Sequence, residues 1–159
     1  MEDAYVLQLL KPKFKEFYLC FCGFAECEAF HSYGPASRPN YILHYVMKGK
    51  GMYQVGENRY SVSQGQVFLI EPDTLTFYQA DKEEPWSYLW VGFGGTDAPR
   101  FLQDLGLNGS QLICECEYGE ELKNIVFSML KHTQSTAENL YYLQGELYHF
   151  FSVLARGVI

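Results

Sequence analysis

The sequence has little positive charge. It contains 12 Lys and Arg against 19 Asp and Glu, which gives a formal net charge of −7 and a pI of about 5.0. A domain that binds DNA by itself is usually basic, because it has to neutralise phosphates. The nearest approach to a basic block is Lys11, Lys13 and Lys15, which we expect to form a solvated face. The charge balance argues against direct binding of nucleic acid by this chain.

The sequence also lacks long apolar runs and a cysteine framework. No run approaches the ~18 apolar residues of a membrane-spanning helix, and the first ten residues carry two acids and none of the basic residues that begin a signal peptide. The five cysteines are odd in number, which is typical of reduced thiols. Cys20, Cys22, Cys27 and His31 do not have the spacing of a zinc site. We expect a cytoplasmic protein.

Histidines are too few and too scattered for a metal-dependent enzyme of the cupin class. Such enzymes hold their metal with two His and a Glu from one hairpin and a third His from a later strand. The four histidines here are His31, His44, His132 and His149, and His44 stands alone in its strand. Nucleophile elbows, phosphate loops and dinucleotide fingerprints are also missing from the sequence. We therefore expect a binding protein with neither metal nor cofactor, and not an enzyme.

Aromatic residues are abundant, with 13 Tyr and 12 Phe, and such residues favour strands. The 159 residues predict one domain. In its first part, short runs of alternating apolar residues are separated by turns rich in Gly, Pro and Asn, which predicts a β-sandwich or barrel. The strand candidates are 17–24, 41–47, 52–55, 59–62, 67–70, 74–78 and 86–93.

After Gly95 the spacing of apolar residues changes from two to three or four, which predicts helices at 98–105 and 120–132. Ser135 and Glu138 have the spacing of a capping box, so a further helix is expected to begin there. In that helix, apolar residues recur at spacings of three, four, three and four, as in a coiled-coil seam. The seam residues are Leu140, Leu143, Leu147, Phe150 and Leu154.

Two interpretations of this seam stay open: packing against the barrel, or pairing with a second copy of the chain. The last helix also carries Tyr141, Tyr142, Tyr148 and Phe151, so its apolar surface is wider than one stripe. A helix that is apolar over more than one face usually has more than one partner. We assign the seam to a dimer interface. Gly145 within the helix is consistent with a close approach of two helices.

An ordered series of short motifs resembles the N-terminal domain of AraC-type transcription regulators, in particular those of sugar-utilisation operons. The series covers residues 17–95 well and the helices more loosely. Its segments are 31–35 (HSYGP), 41–46 (YILHYV), 49–51 (GKG), 65–70 (GQVFLI), Pro72, 78–81 (YQAD), 85–91 (PWSYLWV), Phe93 and Gly94.

The resemblance implies a mainly β fold with C-terminal helices. It implies a cupin-like β-barrel, the double-stranded β-helix, over 1–95, followed by an antiparallel helix pair that dimerises the protein over 96–159. The barrel of such regulators binds a small effector, usually a sugar, and an N-terminal arm folds over it. Residues 1–14 are the candidate arm. The resemblance also implies a C-terminal pair of helix-turn-helix motifs that binds DNA, so we expect this sequence to be part of a longer protein.

The resemblance further implies candidate ligand-binding residues. Tyr78 and Trp90 match sugar-contacting positions of the arabinose-responsive relative, Tyr88 stands where that relative has a contacting His, and Arg38 lies near its Arg. Tyr88 and Trp90 are two apart in one strand and therefore face the same way. A Trp ring can cover the apolar face of a pyranose, while Tyr78, Tyr88, Arg38 and His44 can bond its hydroxyls.

The leading hypothesis is a sugar-sensing and dimerising domain of an AraC-type regulator. One alternative is an enzyme of the cupin class, an isomerase or dioxygenase, which would contain stoichiometric metal. Another is a module that only dimerises, with a barrel filled by its own side chains.

Overall fold

A computed structural model describes residues 3–9 and 11–158. Within these residues the chain forms ten strands and three helices. The strands are β1 (Asp3–Gln8), β2 (Tyr18–Glu26), β3 (Ser32–Ala36), β4 (Tyr41–Lys48), β5 (Lys50–Val55), β6 (Asn58–Ser63), β7 (Gln66–Ile70), β8 (Thr76–Ala80), β9 (Ser87–Gly94) and β10 (Ile113–Glu115). The helices are α1 (Ala98–Asp104), α2 (Gly119–Leu130) and α3 (Ala137–Arg156).

The strands form two antiparallel sheets that enclose an aromatic core. The larger sheet has the order β1-β2-β9-β4-β7-β10 and the smaller one the order β3-β8-β5-β6. Tyr53 of β5 links them, because its hydroxyl donates a 2.7 Å hydrogen bond to the carbonyl oxygen of Leu69 in β7. The ring of Tyr53 also lies 4.7 Å from that of Phe68. The predicted mainly β fold, a cupin-like barrel with C-terminal helices, is confirmed.

Alternate side chains of the central strand β9 project to opposite sides of the larger sheet. Leu89, Val91 and Phe93 are fully buried on one side, and the Phe93 ring lies 5.1 Å from Phe151 of α3. Tyr88 and Trp90 face the interior of the barrel, as the two-residue period of a strand requires. One strand therefore carries both the helix-packing surface and part of the inner wall.

Helices α2 and α3 form an antiparallel pair, as expected. At one end Arg156 donates to Glu121, with 2.9 Å between Nη2 and Oε2. At the other end the hydroxyls of Ser128 and Tyr142 are hydrogen-bonded. The pair packs on the larger sheet and shares one continuous core with the barrel. No helix in the described part of the chain is long and apolar enough to cross a membrane.

The start of α3 corrects the predicted capping box. The N-cap is Thr136, whose backbone is extended (φ −108°, ψ 158°) and whose hydroxyl accepts a 3.2 Å hydrogen bond from the backbone N–H of Asn139. Ser135 lies one residue outside the helix. Both side chains are suitable caps, so spacing to Glu138 alone could not choose between them.

Three strands lay outside the sequence prediction. They are β1, β3 and β10. Strand β3 contains Gly34 and Pro35, which are residue types that favour turns. Its register with β8 shifts between Tyr33 and Ala36. Strand β10 has only three residues and pairs with β7, so strand structure continues beyond the predicted change at residue 95.

Candidate functional site

A cavity of about 400 Å³ lies inside the barrel and opens at its edge. This is a usual size for a small-molecule site. All five residues that the sequence singled out for ligand binding line it, although they come from three strands and one loop. They are Arg38, His44, Tyr78, Tyr88 and Trp90. We call this space the barrel cavity.

The register of the larger sheet explains why three of these side chains meet. His44 of β4 lies directly opposite Trp90 of β9, and Val46 lies opposite Tyr88. Cross-strand partners project to the same face of a sheet. The rings of His44 and Tyr88 are 5.0 Å apart, and those of His44 and Trp90 are 6.1 Å apart. Tyr78 approaches from β8 of the other sheet, with its ring 5.0 Å from His44.

His44 is a buried polar group with an unused hydrogen-bonding atom. Its side chain is 2% exposed and stacks on Phe68 at 4.6 Å. Its Nδ1 has no hydrogen-bond partner among the described residues. Burial, followed by the charge of Arg38, holds the pKa of His44 well below its ordinary value of 6.5, so the ring is neutral near pH 7. Buried polar atoms are rarely unpaired in folded proteins, and this one is shielded from solvent by the surrounding side chains.

Arg38 and Tyr78 form the polar side of the cavity. Arg38 lies in the loop before β4, and its Nη2 donates to the Tyr78 hydroxyl at 3.3 Å. Burial raises the pKa of Tyr78 to about 12, against the lowering effect of Arg38. The phenol is therefore protonated at neutral pH and can both donate and accept a hydrogen bond.

Trp90 is half-buried and offers a ring face to the cavity. Opposite it in β2 is Gly23, where a Cβ atom would overlap the indole. The indole thus lies directly over the Gly23 backbone. The sequence analysis did not single out Gly23, because a glycine within a strand has several explanations until its neighbour is known.

Strand β1 forms the open wall of the cavity. Ala4, Val6 and Gln8 line it, since β1 pairs along the edge of β2. The candidate arm was residues 1–14, of which residues 1, 2 and 10 lie outside the described residues. Gln8 and Asn40, two lining amides that the sequence analysis did not name, add further hydrogen-bonding groups.

The residues assigned to a dimer seam lie mostly in the chain's own core. Leu143, Leu147, Phe150 and Leu154 are between 0% and 3% exposed, and Leu140 is half-buried. Side chains so enclosed have almost no surface to offer a second copy. The interface assignment therefore needs correction for these four residues, whose three-and-four spacing reflects packing against the barrel and α2.

The exposed apolar residues of α3 lie on another face. Tyr141, Tyr142 and Tyr148 are 60%, 39% and 49% exposed. Gly145 lies between Tyr141 and Tyr148 on the helix surface, at i+4 from the first. Nothing would lie within 4 Å of a Cβ atom at Gly145. The packing of this chain alone does not account for glycine at that position.

Two larger hollows lie elsewhere on the surface. One of about 510 Å³ lies on the outer face of the smaller sheet, and one of about 630 Å³ lies between β1 and α2. None of the five residues that the sequence analysis singled out for ligand binding lines either hollow, so the barrel cavity is the better candidate for a ligand. Within the described residues, no three His, Cys, Asp or Glu side chains lie close enough to hold a metal ion.

Comparison with known proteins agrees with the sequence resemblance. Residues 19–151 match the family described as AraC-like ligand binding domain. The chain is 32% identical over 134 residues to the Msm operon regulatory protein of Streptococcus mutans, covering 83% of this chain and 48% of that protein. It is 36% identical over 75 residues to the raffinose operon transcriptional regulatory protein RafR of Pediococcus pentosaceus, covering 46% and 27%.

The chain thus spans about half or less of the curated relatives that it matches. Among solved structures, YhaK from Escherichia coli superposes with a TM-score of 0.53 at 15% identity, covering 70% of this chain and 49% of that one. This likeness concerns the fold alone.

Proposed function

Because the chain belongs to the family of AraC-like ligand binding domains, we propose that it is the effector-sensing part of a cytoplasmic transcription regulator. Its barrel cavity binds a sugar, two copies pair through their C-terminal helices, and DNA is bound by a further part of the protein. We propose no catalytic role. Binding of the sugar shifts the population between two arrangements of the dimer.

One observation carries the sugar-binding proposal. Arg38, His44, Tyr78, Tyr88 and Trp90 converge on one cavity of about 400 Å³. The cavity combines an indole face with hydroxyl, imidazole, guanidinium and amide groups. This is the chemistry that a pyranose needs, because its ring has apolar faces and its edges carry hydroxyls. The relatives named after the Msm and raffinose operons support a carbohydrate effector.

A thermal-shift screen against monosaccharides and oligosaccharides, including raffinose, tests the proposal. One site at a hundred times its dissociation constant stabilises the fold by about 2.7 kcal/mol. We expect a sugar that raises the melting temperature of the wild-type chain and loses this effect in Trp90→Ala. The matched control is Phe127→Ala, which removes a half-buried ring of α2 outside the cavity.

Three outcomes of the screen are informative. A shift that is kept in Phe127→Ala and lost in Trp90→Ala supports the site. A shift that survives in Trp90→Ala contradicts the assignment of the barrel cavity. The absence of any shift in melting temperature over a broad panel contradicts sugar sensing and favours a module that only dimerises. A separate metal analysis of the purified protein tests the enzyme alternative, which stoichiometric metal would favour.

The dimer proposal rests on the exposed face of α3. Tyr141, Gly145, Tyr148 and Ser152 follow one another at spacings of four, three and four on one exposed stripe. Glycine within a helix costs about 1 kcal/mol relative to alanine, and no contact within the chain requires it. A second α3 that crosses closely at Gly145 would account for it. We therefore move the proposed interface from the buried seam to this tyrosine stripe.

A further inference from the structure

The barrel cavity contains an unbalanced positive charge. Among the described residues that line it, Arg38 carries a permanent charge and none is an aspartate or glutamate. A guanidinium stays charged at every physiological pH. His44, at the centre of the cavity, is held neutral by burial and by Arg38. His31 also lines the cavity, and Arg38 is the one permanently charged side chain of the described lining.

Arg38 has few partners within the chain. Its Nη2 donates to the Tyr78 hydroxyl at 3.3 Å, and its guanidinium carbon lies 4.4 Å from the ring centre of Tyr33 and 5.8 Å from that of Phe21. It takes part in none of the ion pairs found among residues 3–9 and 11–158. A guanidinium has five N–H donors, and the hydrogen bond to Tyr78 uses one of them.

The planar fork of a guanidinium matches the oxygens of a phosphate or carboxylate, so Arg38 is suited to bind an anion. The hydroxyls of a neutral sugar can accept hydrogen bonds from Arg38, but each also has a proton that needs an acceptor. The described lining offers only uncharged acceptors, such as Tyr78, Asn40 and Gln8. The donor-rich side of this cavity thus suits an anionic group better than a row of hydroxyls.

On the basis of the proposed function, we infer that the effector is a sugar with an anionic substituent, a phosphate or a carboxylate, that pairs with Arg38. Tyr78 lies between Arg38 and the aromatic wall, since its hydroxyl contacts Arg38 and its ring lies 5.0 Å from His44. His44 in turn lies 6.1 Å from Trp90. The sugar ring then lies on Trp90, and its charged substituent points towards the loop before β4.

Isothermal titration with matched ligands tests the inference. The probes are galactose, galactose 6-phosphate and galacturonate, the glucose equivalents of these three, and raffinose as a neutral oligosaccharide. A charge-assisted hydrogen bond contributes about 1.5–3 kcal/mol, so we expect one anionic sugar to bind roughly tenfold or more tightly than its neutral parent. The phosphate and carboxylate arms separate the two kinds of anion.

Variants then assign the effect to Arg38. Arg38→Gln is expected to remove the preference for the anionic sugar, and Arg38→Lys, which keeps the charge but loses the fork, to retain part of it. The matched control Arg59→Gln removes a charge from the exposed outer side of β6 and should change nothing. Comparison of neutral and anionic ligands on the wild-type chain needs no variant, so the test holds even if Arg38→Gln does not fold.

The outcomes separate the two proposals. If neutral sugars bind as tightly as their anionic counterparts, or more tightly, the inference is overturned and the sugar-sensing function stands. An anionic preference that persists in Arg38→Gln also overturns the inference. If neither class binds, the sugar-sensing function fails and the inference fails with it.

Discussion

Among single residues, Gly23 determines how the indole of Trp90 can lie. A Cβ atom at position 23 would overlap that ring and lie 2.6 Å from the carbonyl oxygen of Tyr5. Overpacking of this kind costs about 1–3 kcal/mol. We expect Gly23→Ala to lower the free energy of unfolding by that amount and to weaken sugar binding, as measured by chemical denaturation and titration.

Gly145→Ala is the matched control for that substitution. The added methyl group meets nothing within 4 Å, so the free energy of unfolding should rise by about 1 kcal/mol through helix propensity. The measurement is made at a concentration where the chain is monomeric. Equal effects of the two substitutions would contradict the account of Gly23.

His44 makes stability depend on pH with a defined sign. Its pKa in the folded chain is well below 6.5, because burial and Arg38 oppose protonation. Below pH 6.5 the unfolded chain takes up a proton that the folded chain does not, so stability falls as pH falls. Above pH 6.5 the contribution of this group is constant. As the pH falls further, the loss of stability ends once the pH passes the pKa of His44 in the folded chain.

The comparison of wild type with His44→Phe isolates this contribution, because the other three histidines are common to both chains. From pH 7.5 to 5.5 we expect the wild type to lose more free energy of unfolding than the variant, by at most about 1.4 kcal/mol. Parallel pH profiles from chemical denaturation would refute a buried neutral His44.

Among the elements, the N-terminus of α3 provides a test of the corrected cap. Thr136→Ala removes the acceptor for the backbone N–H of Asn139 and should lower the free energy of unfolding by about 1 kcal/mol. Ser135→Ala, one residue outside the helix, should change it by less than about 0.5 kcal/mol. Thermal or chemical denaturation distinguishes the two, and the reverse order would restore Ser135 as the cap.

How far the sequence predicted each element depended on the length of its pattern. Strand β9 was predicted within one residue, because 86–93 is a long, mostly apolar and aromatic run bounded by Pro85 and Gly94. Strand β10 has three residues, which are too few to show a two-residue hydrophobic period. It forms a strand because it pairs with the edge of β7. Helix α3 was predicted in type and, within one residue, in its start, yet spacing did not determine which partner its seam contacts.

The candidate site was predictable only with the family resemblance. The two-residue period of a strand places Tyr88 and Trp90 on one face, but Tyr78 lies ten residues before Tyr88 in the other sheet, and no local pattern brings it to them. The resemblance supplied their grouping. The depressed pKa of His44, its unpaired nitrogen and the role of Gly23 depend on neighbours across strands, so they became visible only in three dimensions.

For the whole molecule, the tyrosine stripe of α3 makes a prediction about assembly. Gly145→Leu adds a bulky side chain at the proposed helix crossing, at a position where a Cβ atom meets nothing within 4 Å. We expect it to raise the dimer dissociation constant tenfold or more in sedimentation equilibrium, a loss of about 1.4 kcal/mol. Asn124→Leu, on the exposed side of α2, is the control. An unchanged dissociation constant in Gly145→Leu would exclude a crossing there.

The central claim is that a sugar binds against Trp90 inside the barrel. The chain has two tryptophans, Trp86 and Trp90, and 13 tyrosines, so in Trp86→Phe the emission that is excited at the red edge of the indole band comes from Trp90 alone. The decisive measurement is a fluorescence titration of this variant with the sugar that stabilises the wild-type chain. The account predicts a saturable change in emission with a dissociation constant that agrees with calorimetry. Binding detected by calorimetry without any change in Trp90 emission would contradict it.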